Sequence, residues 1–256
     1  MKALEKLNVR EDAQLSSTYG KVYDCLLNLI ISFKLKPFAL LSEKALSDAL
    51  HVSRSPVREA LARLATVGLI DIYAQRGSIV SPLRVKDLEH SEFLRECVEV
   101  GLLQKACQLS DRSELCKQLK SEITLQETLA AIGDHPRFSK SDELFHQYIA
   151  VAVGFPDIWS SVSNAKLHMN RFRTLTYPDM DSLATIIDQH KMIAKSIETG
   201  SESAAIQAIQ EHLRKIFPLV PDLIKKFPEY FENKPGEVAG RIYRPDLSIL
   251  SPLALT

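Results

Sequence analysis

From about residue 87 to residue 217 the chain repeats apolar residues at helical spacing almost without interruption, and this stretch limits the fold more than any other feature. The periodicity predicts helices near 87–109, 112–132, 136–153, 156–176, 181–199 and 202–217. Asp111, Gly133-Asp134-His135-Pro136, Gly154-Phe155-Pro156, Tyr177-Pro178 and Thr199-Gly200-Ser201 punctuate them. Helices of this length joined by short loops bury their apolar stripes by packing together as an antiparallel all-α bundle. The sequence shows no internal repeat, and no stretch approaches the roughly 18 uninterrupted apolar residues of a membrane span.

The part before the bundle is patterned differently. Residues 1–15 are polar and read as a flexible N-terminus. Residues 16–35 carry Val22, Leu26, Leu29, Ile30 and Phe33 on one helical face, and Pro37 is expected to end that helix. Leu40-Leu41 is a short apolar run. Ser42 is placed to cap a helix bearing Ala45, Leu46 and Leu50. His51-Val52 forms a turn, and Ser53 caps a second helix with Val57, Leu61 and Leu64 at core spacing, stopping near Gly68. Leu69–Tyr73 and Ser78–Val80 then alternate as two strands around a turn at Gly77. The domain plan is 16–82, a linker at 83–88, a helical domain at 89–217, and a proline-rich C-terminal extension at 218–256. That extension is expected to dock on the bundle or to be mobile.

Charge adds one discriminating fact. The 256 residues sum to zero net charge, but residues 1–80 hold 11 Lys and Arg against 8 Asp and Glu, a surplus of three cations. The positive share therefore falls on the helix-turn-helix segment. Cys25, Cys97, Cys107 and Cys116 form no C-x-x-C pair and read as reduced thiols. The N-terminus mixes charges and does not resemble a signal peptide, so the expected location is cytoplasmic.

Two constellations carry chemistry. In the first, Arg54, Ser55 and Arg58 occupy the opening turns of the second helix of the pair. Such a helix can enter the major groove of duplex DNA, where arginine forks onto guanine and a small hydroxyl suits a phosphate. The bland alternative is an amphipathic helix with solvated arginines. In the second, Asp142 and His146 lie four apart on one helix face, with His190 and His212 on two further helices. One carboxylate and three imidazoles projecting inward suit Zn, Ni, Mn or Fe(II) and leave coordination positions open. Scattered, unrelated histidines are the alternative.

The run LSEKALSDALHVSRSPVREALARLATVGLIDIYAQRGSIVSPL resembles the winged helix-turn-helix of the GntR family of bacterial transcription regulators. Carried over by position, the family's DNA-contacting residues fall on Lys44, Ser53, Arg54, Ser55, Arg58 and the wing residue Gly77. Two departures stand out: Pro37-Phe38 where the family usually has Pro-Gly, and His51 where the turn usually has Gly. The segments FLRECVEVGLLQKA, SDELFHQYIAVAVG and QHKMIAKSIETGSESAAIQAIQEHL resemble the FCD effector domain of the FadR subfamily. Many such domains hold a divalent metal on one Asp and three His, and those positions fall on Asp142, His146, His190 and His212.

The resemblance implies a mainly α fold, with an N-terminal winged helix-turn-helix and a C-terminal antiparallel all-α helical bundle of FCD type. It implies a homodimer on a double-stranded DNA operator, not bound to membranes. It further implies a repressor whose DNA binding is controlled by a small carboxylate effector at a site containing a divalent transition metal, zinc first. Arg95, Arg171, Arg173 and Asn170 are the candidate effector-binding residues, and His168 is not expected to be a ligand. The alternatives are a metal-dependent enzyme and a regulator that senses the metal itself.

Overall fold

The computed structural model describes residues 17–73, 77–176, 180–232 and 241–250. The polar N-terminus, Gln75-Arg76 at the expected hairpin tip, the break at Tyr177-Pro178 and parts of the C-terminal extension lie outside the described residues. The chain divides into two compact units. Among the described residues one unit comprises Glu89–Lys166 and Leu175–Leu219. The other comprises residues 17–88, Leu167–Thr174 and residues 220–250.

The second unit begins with α1 (Thr18–Ile31), capped by the Ser17 hydroxyl, which accepts the Gly20 N–H at 3.0 Å. The helix stops well short of Pro37. Phe33 turns left-handed at φ 56°, and the Leu35 N–H donates back to the Leu29 carbonyl at 2.9 Å, so a C-terminal turn rather than the proline ends it. Leu40–Leu41 forms a short strand, β1. Helix α2 (Glu43–Leu50) follows, with Ser42 capping at the Ala45 N–H. Helix α3 (Arg54–Thr66) has Ser53 at its N-cap position, but the hydroxyl makes no capping bond. β2 (Ile70–Tyr73) and β3 (Gly77–Val80) pair antiparallel, and β1 joins the other edge of β3 in the order β1-β3-β2. Leu26, Ile30, Leu46, Val57, Leu64 and Val80 meet in the core. Each such side chain contributes about 1.5–3 kcal/mol on removal from water.

Both departures from the family pattern become left-handed residues. Phe38 has φ 67°, and its ring is buried against Ile79. His51 has φ 54° and ψ 40° at the end of α2, a conformation histidine adopts more readily than most side chains. His51→Gly is therefore expected to be neutral or to stabilise by up to about 1 kcal/mol, the relieved strain being partly offset by unfolded-chain entropy. A branched side chain has no such tolerance, and His51→Val is expected to cost about 1–2 kcal/mol. Urea unfolding of the two variants checks the pair.

In the first unit the helical expectations hold to within a few residues. The helices are α4 (Val85–Cys107), α5 (Ser113–Ala131), α6 (His135–Ala152), α7 (Ile158–Thr176), α8 (Met180–Thr199) and α9 (Glu202–Arg214). Asp134 caps α6 by accepting the Arg137 N–H at 3.1 Å, with Pro136 in the first turn. Helix pairs α5 and α6, α8 and α9, and α5 and α8 pack on one another. Leu103, Leu119, Phe145, Val162, Ile193 and Ile209 share one apolar core. No helix among the described residues is long and apolar enough to cross a membrane.

The C-terminal extension departs from expectation. It starts with α10 (Val220–Lys226) and joins the unit that holds the helix-turn-helix, not the bundle. Phe231 bridges to Leu83 and Tyr243 bridges to Ala39, both in parallel. Arg84 ties the extension in by pairing with Asp71 at 2.5 Å and Glu232 at 3.0 Å, and Leu250 is part of the same core as α1 and α3.

Candidate functional site

Helix α6 buries Phe138, Ser141, Asp142, Phe145, His146, Ile149 and Ala150, a stripe at three- and four-residue steps. Asp142 and His146 therefore sit on the core-facing side of their helix. His190 on α8 and His212 on α9 are equally buried, the four being 0–3% exposed. One ligand atom from each lies within 4.8 Å of the others. The imidazole centroids are 4.8–5.3 Å apart, and Phe145 stacks on His190 at 4.1 Å.

Two of the imidazoles, His190 and His212, also have a hydrogen-bond acceptor at the other nitrogen. His190 Nδ1 lies 2.7 Å from Gln126 Oε1 and His212 Nδ1 3.2 Å from Gln189 Oε1, whereas His146 Nδ1 lies 2.8 Å from Glu99 Oε2 as a close charged neighbour without hydrogen-bond geometry. An Nδ1–H directed at such an acceptor leaves Nε2 with its lone pair, the form a metal binds, and fixes the ring plane. Both ring nitrogens of His146 are fully buried and make no hydrogen bond among the described residues. The donor set, its spacing and these orienting contacts all fit a divalent transition metal.

Charged groups surround this cluster. Lys166 Nζ lies 3.5 Å from Asp142 Oδ2 and 2.5 Å from Glu143 Oε2. Arg95 Nε pairs with Glu99 Oε1 at 2.7 Å, both side chains being buried. Burial alone would raise the Glu99 carboxyl, but Arg95, His146 and Lys166 outweigh it and hold the group well below the usual carboxylate range. Glu143 is likewise held down, against its burial, by Lys166 and the Ser163 hydroxyl. Glu99, Gln126, Gln189 and Lys166 are absent from the candidates drawn from sequence. Gln126 had a legible signal, since it falls three residues from Ile123 and from Leu129 on the buried stripe of α5. The contacts of Gln189, Glu99 and Lys166 with residues on other helices had none.

Of the candidate effector residues, only Arg95 belongs to the same unit as the four ligands. Arg171, Arg173 and Asn170 belong to the other. The Arg171 guanidinium is buried and donates to the carbonyls of Ser81 at 2.7 Å and Pro82 at 3.4 Å. It serves there as an anchor for the backbone after β3, and burial lowers it to about 10. His168 hydrogen-bonds the Val67 carbonyl at 2.9 Å and packs against Gly68. Burial pushes its imidazole down, against the pull of Asp87.

The candidate DNA residues lie together around α2 and α3. Lys44, Ser53, Arg54, Ser55 and Arg58 are all exposed, as is Gly77, which opens β3 at φ 99°. Arg58 forks onto Glu43, with Nη2–Oε2 at 2.9 Å and Nε at 3.2 Å from both oxygens. Ser55 Oγ donates to Glu59 at 3.1 Å. Both contacts are solvent-exposed and hold the polar tips in place only loosely.

Comparison with known proteins matches residues 18–80 to the model described as bacterial regulatory proteins, gntR family, and residues 92–215 to the FCD domain. An HTH-type transcriptional regulator in an unstable DNA locus of Streptomyces ambofaciens is 33% identical over 86% of this chain and 92% of its own length. The HTH-type transcriptional repressor RspR of Escherichia coli K12 is 27% identical over 84% and 93%. The gluconate operon transcriptional repressor of Bacillus subtilis is 27% identical over 76% and 81%. Among solved structures, E. coli McbR/YncC has the same fold with a TM-score of 0.67 at 18% identity, covering 80% of this chain and 98% of that one.

Proposed function

Since the chain belongs to the GntR family of bacterial transcriptional regulators and carries that family's FCD effector domain, we propose that it is a repressor whose operator binding is set by a small organic acid held beside a metal. The family is one of regulators and not of enzymes, which removes the metal-enzyme alternative. The observation that carries the effector reading is the buried group of Asp142, His146, His190 and His212, with Nδ1 of His190 and of His212 held by glutamine acceptors. Relatives named as repressors support the sign of regulation.

These four residues would hold a divalent transition metal, zinc first, and the bound ion would supply open coordination positions to a carboxylate. Charge around the ligands supports an acid. Two cations, Lys166 and Arg95, face three carboxylates, Asp142, Glu99 and Glu143, a balance of minus one. A divalent ion turns that to plus one, which a monoanionic ligand neutralises. Arg95 and Lys166 are the protein cations placed to share in this. The effector can act only through a difference in its affinity for DNA-binding and non-binding states of the protein.

DNA recognition is assigned to Arg54 and Arg58 for base edges and to Lys44, Ser53, Ser55 and Gly77 for the backbone. The working form would be a homodimer on a near-palindromic operator, because a second half-site converts weak binding into an intramolecular contact. In α4, Phe93 is 70% exposed and Leu94 41%, with Cys97 exposed one turn on, an apolar strip that suits a second copy of the chain. Phe93→Glu is expected to shift the protein from dimer to monomer in sedimentation and to weaken operator binding at least tenfold by loss of the second half-site (effective concentrations for linked sites give gains of about 10²–10⁴).

The effector reading is tested by screening carboxylic acids for thermal stabilisation of the metal-loaded protein, then assaying the hits for release of DNA fragments selected from the genome. Acids that both stabilise and release support it. DNA binding that follows free metal alone, with no response to any acid, would show a metal sensor instead.

A further inference from the structure

The described end of the C-terminal extension, residues 241–250, runs along the edge of the DNA-binding unit. The Leu40 N–H donates to the Tyr243 carbonyl at 2.8 Å, and the Tyr243 N–H donates to the Phe38 carbonyl at 3.3 Å. Arg241 is spent on this attachment, donating to the Phe231 carbonyl at 2.7 Å and covering the Phe38 ring. Leu250 is buried in the core. Main-chain pairing on one side and a buried leucine on the other fix the intervening residues in place.

Between these anchors lies Arg244. It is exposed and forms no ion pair among the described residues. Nearby Asp246 is occupied as a cap, accepting the Ser248 N–H at 2.9 Å. Arg244 lines a groove of about 660 Å³ together with Ser42, Glu43, Gly77 and Ser78. Those residues are the start of α2 and the start of β3. Lys44 is the next residue in α2, Gly77 opens the wing strand, and Glu43 is the carboxylate that holds Arg58. Arg244 therefore shares one groove with Gly77, a position assigned to DNA, and with the chain neighbours of Lys44, and it is supplied by a segment that begins after the FCD match ends at residue 215.

We infer that the C-terminal extension is an additional DNA-contacting element, in which Arg244 binds a backbone phosphate beside the wing. This rests on the DNA-binding reading above. A phosphate is the partner because the groove flanks the start of α2, the first helix of the pair, and that helix crosses the sugar-phosphate backbone while α3 enters the groove. Arginine forks onto a phosphate as it does onto a carboxylate, and its phosphate contacts add affinity without sequence preference. The extension thus adds grip on any duplex and leaves sequence choice to α3.

The test uses the full-length protein, a mixed-sequence duplex and an operator selected from the genome, with binding measured across a series of KCl concentrations. Arg244→Ala is expected to weaken both duplexes alike, by about three- to tenfold, and to reduce the slope of log affinity against log salt by about 0.9. Arg244→Lys, which keeps the charge, is expected to restore the slope. The melting temperature of both variants should equal that of the parent, because the side chain is exposed. A slope and affinity equal to the parent's would overturn the inference, as would a loss confined to the operator, which would mean base reading. Failure of the parent protein itself to bind either duplex would instead remove the DNA-binding reading.

Discussion

Replacing His190 by alanine is expected to lower zinc affinity by more than about a hundredfold and to abolish the loss of thermal stability that a chelator is expected to cause in the parent protein. The first figure follows because even the groups that orient metal ligands are worth about 10- to 100-fold, and His190 is assigned as a ligand itself. The second follows from mass action: a metal present at about 100 times its dissociation constant stabilises the folded state by about 2.7 kcal/mol. His190 also fills space, since Phe145 stacks on it at 4.1 Å, so the alanine variant loses packing as well as a ligand. Gln126→Leu separates the two effects. It leaves all four ligands and the ring stack in place and removes only the acceptor 2.7 Å from His190 Nδ1. Zinc affinity should fall about 10- to 100-fold in this variant. Competition with a colorimetric chelator measures both. Parental affinity in the His190 variant would show that the four residues do not share an ion.

The second large effect is expected in the DNA-binding unit. Arg54→Ala and Arg58→Ala should each lower operator affinity by roughly ten- to a hundredfold, and together they should remove the preference for operator over mixed-sequence DNA. The size reflects loss of a forked contact to a base edge. Both side chains are exposed at the start of α3, so neither substitution disturbs the core formed by Val57, Leu61 and Leu64. Arg58 must leave Glu43 to reach a base. That ion pair is 67% and 38% exposed at its two side chains, and exposed pairs of this kind open at little cost. Gel-shift titration against operator and mixed duplex decides the matter, with thermal melting as the control for folding. Operator affinity unchanged in both variants would discard the assignment of α3 as the reading helix. The contrast with Arg244→Ala is built in: that variant should weaken all duplexes equally, whereas these should weaken the operator most.

Where local pattern governs, sequence and structure agree. The helices between Val85 and Arg214 follow from apolar spacing and from breaks at Gly, Pro and Asp. The turn between α2 and α3 survives a histidine in place of glycine because His51 accepts the left-handed conformation. The end of α1 falls short of Pro37, the stop visible in the sequence, because the left-handed turn at Phe33 is made by a residue with no special propensity for it. Leu40-Leu41 became a strand only because β3 presents a free edge to it. Two residues are too few for alternation to show.

The four metal-site candidates and the arginines proposed to read DNA are visible from residue type, spacing and family resemblance, because a helix places residues four apart on one face whatever surrounds it. What surrounds them is not. Gln126 meets His190 across 64 positions of chain, Arg171 meets Ser81 across 90, and Lys166 meets Asp142 across 24. Such pairs have no local signature: they exist because helices far apart in sequence pack side by side and leave buried polar atoms that must find partners. The seat of the C-terminal extension is a tertiary outcome for the same reason, since backbone pairing of Tyr243 with Phe38 and Leu40 asks almost nothing of the side chains involved.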